Sequence, residues 1–286
     1  MRRKSSKRSE KVCIIGAGPV GLAWGRALNR IGCKISCVIS RKLSHAKRLA
    51  KDVGAAEASN RIEKCCGSTI VLLCVPDHAI KEVSDQLLNV HFTSSRVVVA
   101  HCSGSRSSVL LESLKSNTSA VLSVASAHPM QTFPRKLMYT DTWDPIRDIC
   151  FGLEGDIAAK TRLRNLIKAL HCRSITISPD SKALYHMGGV IVSNFLHANY
   201  HAARKLYKGI GINASQTRLV LGPILFETLR NILSNPSSIM LTGPASRGDH
   251  KLLGLQSSEI KKALPTYQRA FVALTAYCRL LSEETR

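Results

Sequence analysis

The sequence predicts an α/β protein: an N-terminal Rossmann-like, doubly wound sheet followed by an all-α C-terminal domain. Three observations predict it. Short apolar runs rich in Val and Ile alternate with helical patterns up to about residue 178, as parallel strands and their crossovers do. The stretch VCIIGAGPVGLAWGRAL, residues 12–28, sets Gly16, Gly18 and Gly21 in GxGxxG spacing between a strand and a helix. From about residue 179 the strand signal ends and long amphipathic segments follow.

The chain opens on MRRKSSKRSEK, with six basic residues and one acidic, which we expect to form a disordered tail over residues 1–11. Charged and apolar regions in this order imitate a signal peptide, but cleavage there would remove the first strand and the glycine turn together. Seven short strands follow: KVCII, KISCVIS, TIVLLCV, RVVVAH, AVLSVASAH, DICFGL and SITIS. They are near-continuously apolar, as strands covered on both faces must be. Between the early ones, LAWGRALNRIG and HAKRLAKDVG read as helices, each closed by a glycine. These elements make up a dinucleotide-binding domain over residues 12–178. The second domain, residues 179–286, reads as SKALYHMGGVIVSNFLHANYHAARKLYKGIG, SQTRLVLGPILFETLRNILSN and SSEIKKALPTYQRAFVALTAYCRLLSEE, all helical.

Composition excludes several classes of function. At 286 residues, 44% hydrophobic and 21% charged, the chain is neither disordered nor too short for two cores. No apolar run approaches the ~18 residues of a membrane span. The ten cysteines show no CxxC pair, and several, such as Cys13, Cys37 and Cys74, fall in expected strands, as buried thiols of a reducing compartment do. The net charge of +22 is diffuse, and with 5% aromatics it offers no stacking platform for nucleic acid. A solvated basic surface that attracts small anions accounts for it.

The glycine turn carries the strongest signal. Its first glycine permits the tight turn, the second lets the backbone approach a pyrophosphate, and the third lets helix pack on strand. The phosphates then rest on free helix N–H groups, and Pro19 suits the first helical position. Taken alone, IIGAGPVGL also resembles the flavin-binding opening of aromatic-ring monooxygenases. The end of the second strand discriminates: Ile39, Ser40, Arg41 and Lys42 include no acid to hold a ribose diol, whereas a hydroxyl and a guanidinium suit a 2'-phosphate. We therefore expect Ser40 and Arg41 to select NADP.

VVVAHCSGSRSSVLL (97–111), SAHPMQTF (126–133), SKALYHMGGVIVSN (181–194) and LTGPASRGD (241–249) together resemble a family of short NADP oxidoreductase-like proteins, whose members pair a Rossmann-like domain with a C-terminal domain of unknown function. The resemblance implies a cytoplasmic homodimer related to ketopantoate reductase, pyrroline-carboxylate reductase and the 6-phosphogluconate dehydrogenase superfamily, its helical domain serving substrate binding and dimerisation. It implies no particular substrate. Pro19 departs from the basic or polar residue expected in the fingerprint.

Ligands of a doubly wound sheet collect outside the carboxyl ends of its strands. Val75, Pro76 and Asp77 follow the third clear strand, and in similar enzymes such a turn passes beside the nicotinamide ribose. His101, Ser103 and Gly104 follow the next strand, where a flexible turn brings Ser103 within reach of nicotinamide or substrate. Cys102 reads as a small packed residue, since hydride transfer needs no nucleophile. His128 ends another strand on the same side and is a substrate-side candidate.

In the second domain, Lys182 and His186 lie about 40° apart on a helical wheel, with Ser193 close to Lys182 and Asn194 displaced to ~120°. An early lysine here resembles the catalytic lysine of ketopantoate reductase and its β-hydroxyacid dehydrogenase cousins, which carry Asn four residues on where this chain has His186. Charge growing on an acceptor oxygen during carbonyl reduction needs stabilisation or a proton. Lys182, with a reference pKa of ~10.4, is expected to be charged at neutral pH, and His186 to orient it or relay the proton. Asn194 is a weaker companion on the substrate side. Arg247 suits a substrate carboxylate, and Asp249 either joins it or fixes the loop by pairing with Arg247. His197 and His201 share a helix face but lack a third ligand, so no metal is expected. The whole predicts an NADPH-dependent oxidoreductase acting on a small carboxylated carbonyl or imine, with ketopantoate the closest named candidate. The alternative is a non-catalytic NADP-binding or sensing protein.

Overall fold

The computed structural model describes residues 10–140, 142–234 and 241–284. By internal contacts the chain divides into two units, the first ending at Val190 and the second beginning at Ile191.

The first unit is built on one eight-stranded sheet. In chain order its strands are β1 (Lys11–Ile15), β2 (Lys34–Ile39), β3 (Ala58–Ser59), β4 (Ile70–Leu73), β5 (Arg96–His101), β6 (Val121–Pro129), β7 (Cys150–Gly155) and β8 (Arg173–Thr176). Their spatial order is β3-β2-β1-β4-β5-β6-β7-β8, so the order reverses between β1 and β4, where a doubly wound sheet opens its ligand crevice. Helices α1 (Pro19–Arg30), α2 (Leu43–Val53), α3 (Ile80–Leu87) and α4 (Ile157–Ala169) supply the crossovers. Strands β1, β4 and β5 are buried on both faces, which is why they read as unbroken apolar runs. One face packs Leu22, Trp24, Leu28, Leu49 and Phe151, and the other packs Ile80, Leu87, Leu111 and Leu114. Trp24 of α1 meets Phe151 of β7 at 5.1 Å between ring centroids.

Four expectations need correction. The two-residue β3 is an eighth strand, too short to leave a periodic signal. The sheet is not parallel throughout: β7 pairs antiparallel with β6, and β8 then runs parallel to β7. The sheet unit includes residues before 12, because Lys11 opens β1 and the Glu10 carboxylate accepts from Arg162 at 3.0 and 2.6 Å and from the Thr69 hydroxyl. That pairing holds the Glu10 carboxyl below its ordinary range, against burial that raises it. The rest of the expected tail, residues 1–9, lies outside the described residues. Finally, the boundary falls after Val190 instead of after residue 178, because Lys182 is anchored on the sheet. Helix α5 (Lys182–Val190) thus belongs with the strands.

The second unit begins with a π-helical segment, Ile191–Phe195, then α6 (Leu196–Gly209), α7 (Ala214–Ser234), α8 (Pro244–Arg247), α9 (His250–Ala263) and α10 (Gln268–Glu283). Its buried cluster is small: Ala202, Ile260 and Leu264, with Leu206, Tyr267 and Phe271 packed against them. Tyr267 donates its hydroxyl proton to Asn199 Oδ1, which ties the α9–α10 corner to α6. Among the described residues no helix is long and apolar enough to cross a membrane. All ten cysteines are free.

Candidate functional site

The glycine turn lies at the reversal of strand order. Gly16 has φ +116°, and a Cβ there would stand 2.3 Å from the Cys74 carbonyl oxygen. A Cβ on Gly21 would stand 2.0 Å from the Gly16 carbonyl oxygen, so both positions demand glycine for closeness. Gly18 differs: nothing lies within 4 Å of where its Cβ would be. It precedes α1 without a side-chain cap, and the first turn of α1 has no acidic residue. Open space over uncapped helix N–H groups is the cradle a pyrophosphate needs. Gly16 N donates to Ile39 O at 2.8 Å, which brings the end of β2 beside this turn. Ser40 follows half-buried, its N–H bonded to Ser59 O at 3.0 Å, and Arg41 and Lys42 are exposed. These residues fit an NADP adenosine end. Val75 is half-buried and Pro76 exposed just past β4, next in line along the same edge.

Lys182 forms the centre of a second cluster. Its side chain is 1% exposed, and Nζ donates to Ser103 O at 2.8 Å and to Ser126 Oγ. Ser126 in turn donates to Ser103 O at 3.1 Å. Among the described residues no carboxylate forms an ion pair with the amine, and burial lowers its pKa to about 8, the charges of Glu154 and Asp77 opposing. Glu154, buried on β7 and in register with Ser126, accepts from Ser108 N and Oγ at 2.7 Å each and from Ser107 Oγ at 3.3 Å. Ser103 itself is used differently from the expectation. Its Oγ accepts the N–H groups of Ser105 at 3.3 Å and Arg106 at 3.0 Å, fixing the turn, and its carbonyl, not its hydroxyl, faces the lysine.

Rings of three residues crowd the same edge. His128 Nδ1 lies 3.2 Å from the Tyr185 hydroxyl, and the His128 and His186 ring centroids are 5.8 Å apart. They close on Gly104, where a Cβ would stand 2.4 Å from His186 Cδ2 and 2.8 Å from His128 Nε2. Burial, then the Lys182 charge, lowers the His128 pKa to about 4. His101, fully buried, also falls to about 4 through burial, with Lys182 adding to the effect. Its Nδ1 accepts from Ser103 N at 3.2 Å, while Nε2 has no hydrogen-bond partner among the described residues. His186 makes no hydrogen bond to Lys182 among the described residues; Ser103 and Ser126 orient the lysine instead. Cys102 is half-buried and packs at the core edge, with its Sγ 3.7 Å from that of Cys74.

Of the residues expected from the sequence, the structure brings Lys182, His186, His128 and Ser103 together. Sequence reasoning misses Ser126, Glu154 and Tyr185. Glu154 has a signal, being the lone acid in the apolar run ICFGLEG. The remaining expected residues lie in the second unit. Asn194 is exposed within the π segment, where the wider turn shifts the ~100° wheel used to rank it against Ser193. Arg247 ends the short α8 and is exposed. Asp249 caps α9, accepting from Leu252 N at 3.0 Å, and forms no ion pair with Arg247 among the described residues.

Comparison with known proteins agrees with this anatomy. Residues 3–129 match the Rossmann-like domain model, and residues 149–278 match a domain of unknown function, DUF2520. No curated protein matches. Among solved structures, a protein from Bacteroides fragilis provisionally assigned as an NADP oxidoreductase superposes with TM-score 0.74 at 22% identity, over 95% of this chain and 98% of that one. Protein TM1727 from Thermotoga maritima gives 0.68 at 25% identity over 96% and 98%. A pyrroline-5-carboxylate reductase from Coxiella burnetii gives 0.61 at 16% over 96% and 98%. At such identities the likeness is one of fold. The chain therefore matches a Rossmann-like domain model followed by a DUF2520 model, in a fold it shares with pyrroline-5-carboxylate reductase.

Proposed function

We propose that this protein is an NADPH-dependent oxidoreductase that reduces a small carboxylated carbonyl or imine, of which ketopantoate is the closest named candidate and pyrroline-5-carboxylate the one that a structural neighbour suggests. One observation carries the reading: an amine buried to 1% exposure, without a carboxylate partner among the described residues, at the carboxyl edge of a dinucleotide-type sheet. Burying a lysine this way is costly, and an apolar residue would pack there more cheaply. A pKa near 8 leaves Lys182 protonated at neutral pH yet ready to give the proton up.

NADPH would be held by Gly16, Gly18 and Gly21 at its pyrophosphate, by Ser40 and Arg41 at the 2'-phosphate, and along Val75 and Pro76 toward the nicotinamide; when bound it supplies a hydride. Lys182 Nζ holds the proton that the acceptor oxygen or nitrogen takes up as negative charge grows there. Ser126 and the Ser103 carbonyl keep Nζ in place, leaving one of its three protons uncommitted. His128, neutral at working pH, walls the substrate with Tyr185, and half-exposed His186 restores the proton from solvent. Arg247 is the candidate grip on the substrate carboxylate, with Asp249 two residues on and Asn194, at the start of the second unit, as further candidate substrate contacts.

The working unit is a homodimer. Helix α7 carries Leu219, Val220, Ile224, Phe226, Leu229, Ile232 and Leu233 exposed around its whole circumference, with only Thr217 buried. Though broken by the exposed Arg230–Glu227 ion pair, this is more apolar surface than a solvated helix carries, and a second copy is the cover we assign to it.

A second reading, an NADP sensor without catalysis, is favoured by the same burial of Lys182, which closes the amine to substrate in this conformation. Titration with NADPH and NADH, on the native protein and Arg41→Ala, followed by turnover of keto and imino acids by Lys182→Met, separates the readings. We expect roughly ten- to hundredfold preference for NADPH, lost with Arg41. Turnover should fall about 10²-fold or more in Lys182→Met with binding intact. Binding without turnover of any keto or imino acid supports the sensor, and no binding of either nucleotide sinks both.

A further inference from the structure

We infer that Cys74 and Cys102 form a dithiol modification site, oxidised by hydroperoxides to a disulfide that disturbs the glycine turn. The two residues leave neighbouring parallel strands in step, Leu73 pairing with His101, and Cys102 N donates to Leu73 O at 3.1 Å. Adjacent strands lie about 4.8 Å apart, within the Cα separation that a disulfide tolerates. The sulfurs already stand 3.7 Å apart, and the bond needs closure to about 2.05 Å. Cys102 is half-buried, so a small oxidant reaches it, while Cys74 lies beneath at 8% exposure.

A comparison within the molecule sharpens the argument. Cys13 and Cys37 are also register neighbours, on β1 and β2, but they are 0% and 1% exposed and closed to reagents. Of these two pairs, only Cys74 and Cys102 combine proximity with access. The Cys102 sulfur and burial hold the Cys74 thiol well above its ordinary pKa, and either sulfur can donate across the 3.7 Å contact.

The chemistry balances in two steps. The Cys102 thiolate attacks a hydroperoxide: an S–O bond forms, the O–O bond breaks, sulfur loses two electrons and the departing oxygen leaves as alcohol or water after taking a proton. Cys74 sulfur then attacks the sulfenic sulfur: the S–S bond forms, the S–O bond breaks, and hydroxide leaves as water with the Cys74 proton. A small thiol reverses the link by exchange. Because the Cys74 carbonyl is the atom against which Gly16 closes, drawing the sulfurs together moves the floor of the turn. That consequence rests on the dinucleotide reading of the turn; the link itself does not.

The test treats the full chain with hydrogen peroxide, maps disulfides by peptide mass, and titrates NADPH before and after. We expect a loss of two hydrogens located between Cys74 and Cys102, reversed by dithiothreitol, absent in Cys102→Ser and Cys102→Ala, and accompanied by NADPH binding about tenfold weaker or more. A link between other cysteines, sulfinic acid on Cys102 without a link, or no oxidation overturns the site. A Cys74–Cys102 link with unchanged NADPH affinity overturns its effect on the turn. If the reduced protein binds no NADPH, the dinucleotide reading fails while the mass still decides the link.

Discussion

The two units of this protein bury their apolar side chains to opposite extents. In the sheet unit, β1, β4 and β5 are sealed on both faces, and Trp24, Leu28, Leu72 and Phe151 are wholly inaccessible. In the helical unit Ala202, Ile260 and Leu264 alone form a buried apolar cluster among the described residues, while Phe226 is 74% and Leu233 77% exposed. Both have ordinary helical or strand patterning, so the difference is not one of sequence quality. It teaches that the first unit has a core of its own, whereas the second leaves large apolar side chains uncovered, which the proposed dimer would cover.

The largest effect should come from attacking that association. Ile224→Glu with Leu233→Glu should convert a dimer to monomer at micromolar concentration, a loss on the order of 4 kcal/mol or more for two central contacts. Sedimentation velocity reads it, and NADPH binding by the sheet unit should survive. A native protein that sediments as a monomer breaks the comparison.

The next effect belongs to the sheet unit. His101 and His128 have pKa values lowered to about 4 in the fold against 6.5 unfolded, so between these values the unfolded chain binds the more protons. Stability is therefore fully present above pH 6.5 and is lost as pH falls toward 4, on the order of 3 kcal/mol for His101. Denaturant titration at pH 7 and pH 4.5 should show it, and His101→Gln should flatten the slope. An unchanged slope in that variant removes His101 from the account.

The smallest effect tests a local feature of the helical unit. Asp249→Ala removes the cap of α9 and should cost about 1 kcal/mol. If Asp249 serves substrate instead, KM rises and thermal stability holds.

Much of the sheet unit was legible because strands sealed on both faces write themselves as apolar runs. The glycine turn was legible because two of its three glycines are demanded by backbone contact. Strand direction was not: nothing in CFGLEG says that β7 runs against β6. Two-residue β3 carries no period. Lys182 could be chosen from its place on the helix, but its burial depends on Ser126 and on a peptide carbonyl, which no side-chain pattern announces. The π segment hid the facing of Ser193 and Asn194, because wheel angles assume an unbroken α-helix. Asp249 reads as a partner for Arg247 until the start of α9 is known.

The Ser103 carbonyl accepts both from Lys182 and from Ser126. The lysine is thus addressed by a main-chain oxygen, whose position no residue exchange can delete and any change of loop shape can displace. Tuning of this site would act through the loop's contour instead of its lettering. Gly104→Ala, whose added methyl meets His186 and His128, should unseat the rings around the lysine and shift the pH at which the amine titrates, and Ser103→Ala, which removes the oxygen that accepts from Ser105 and Arg106 N–H, should act in the same direction through the turn.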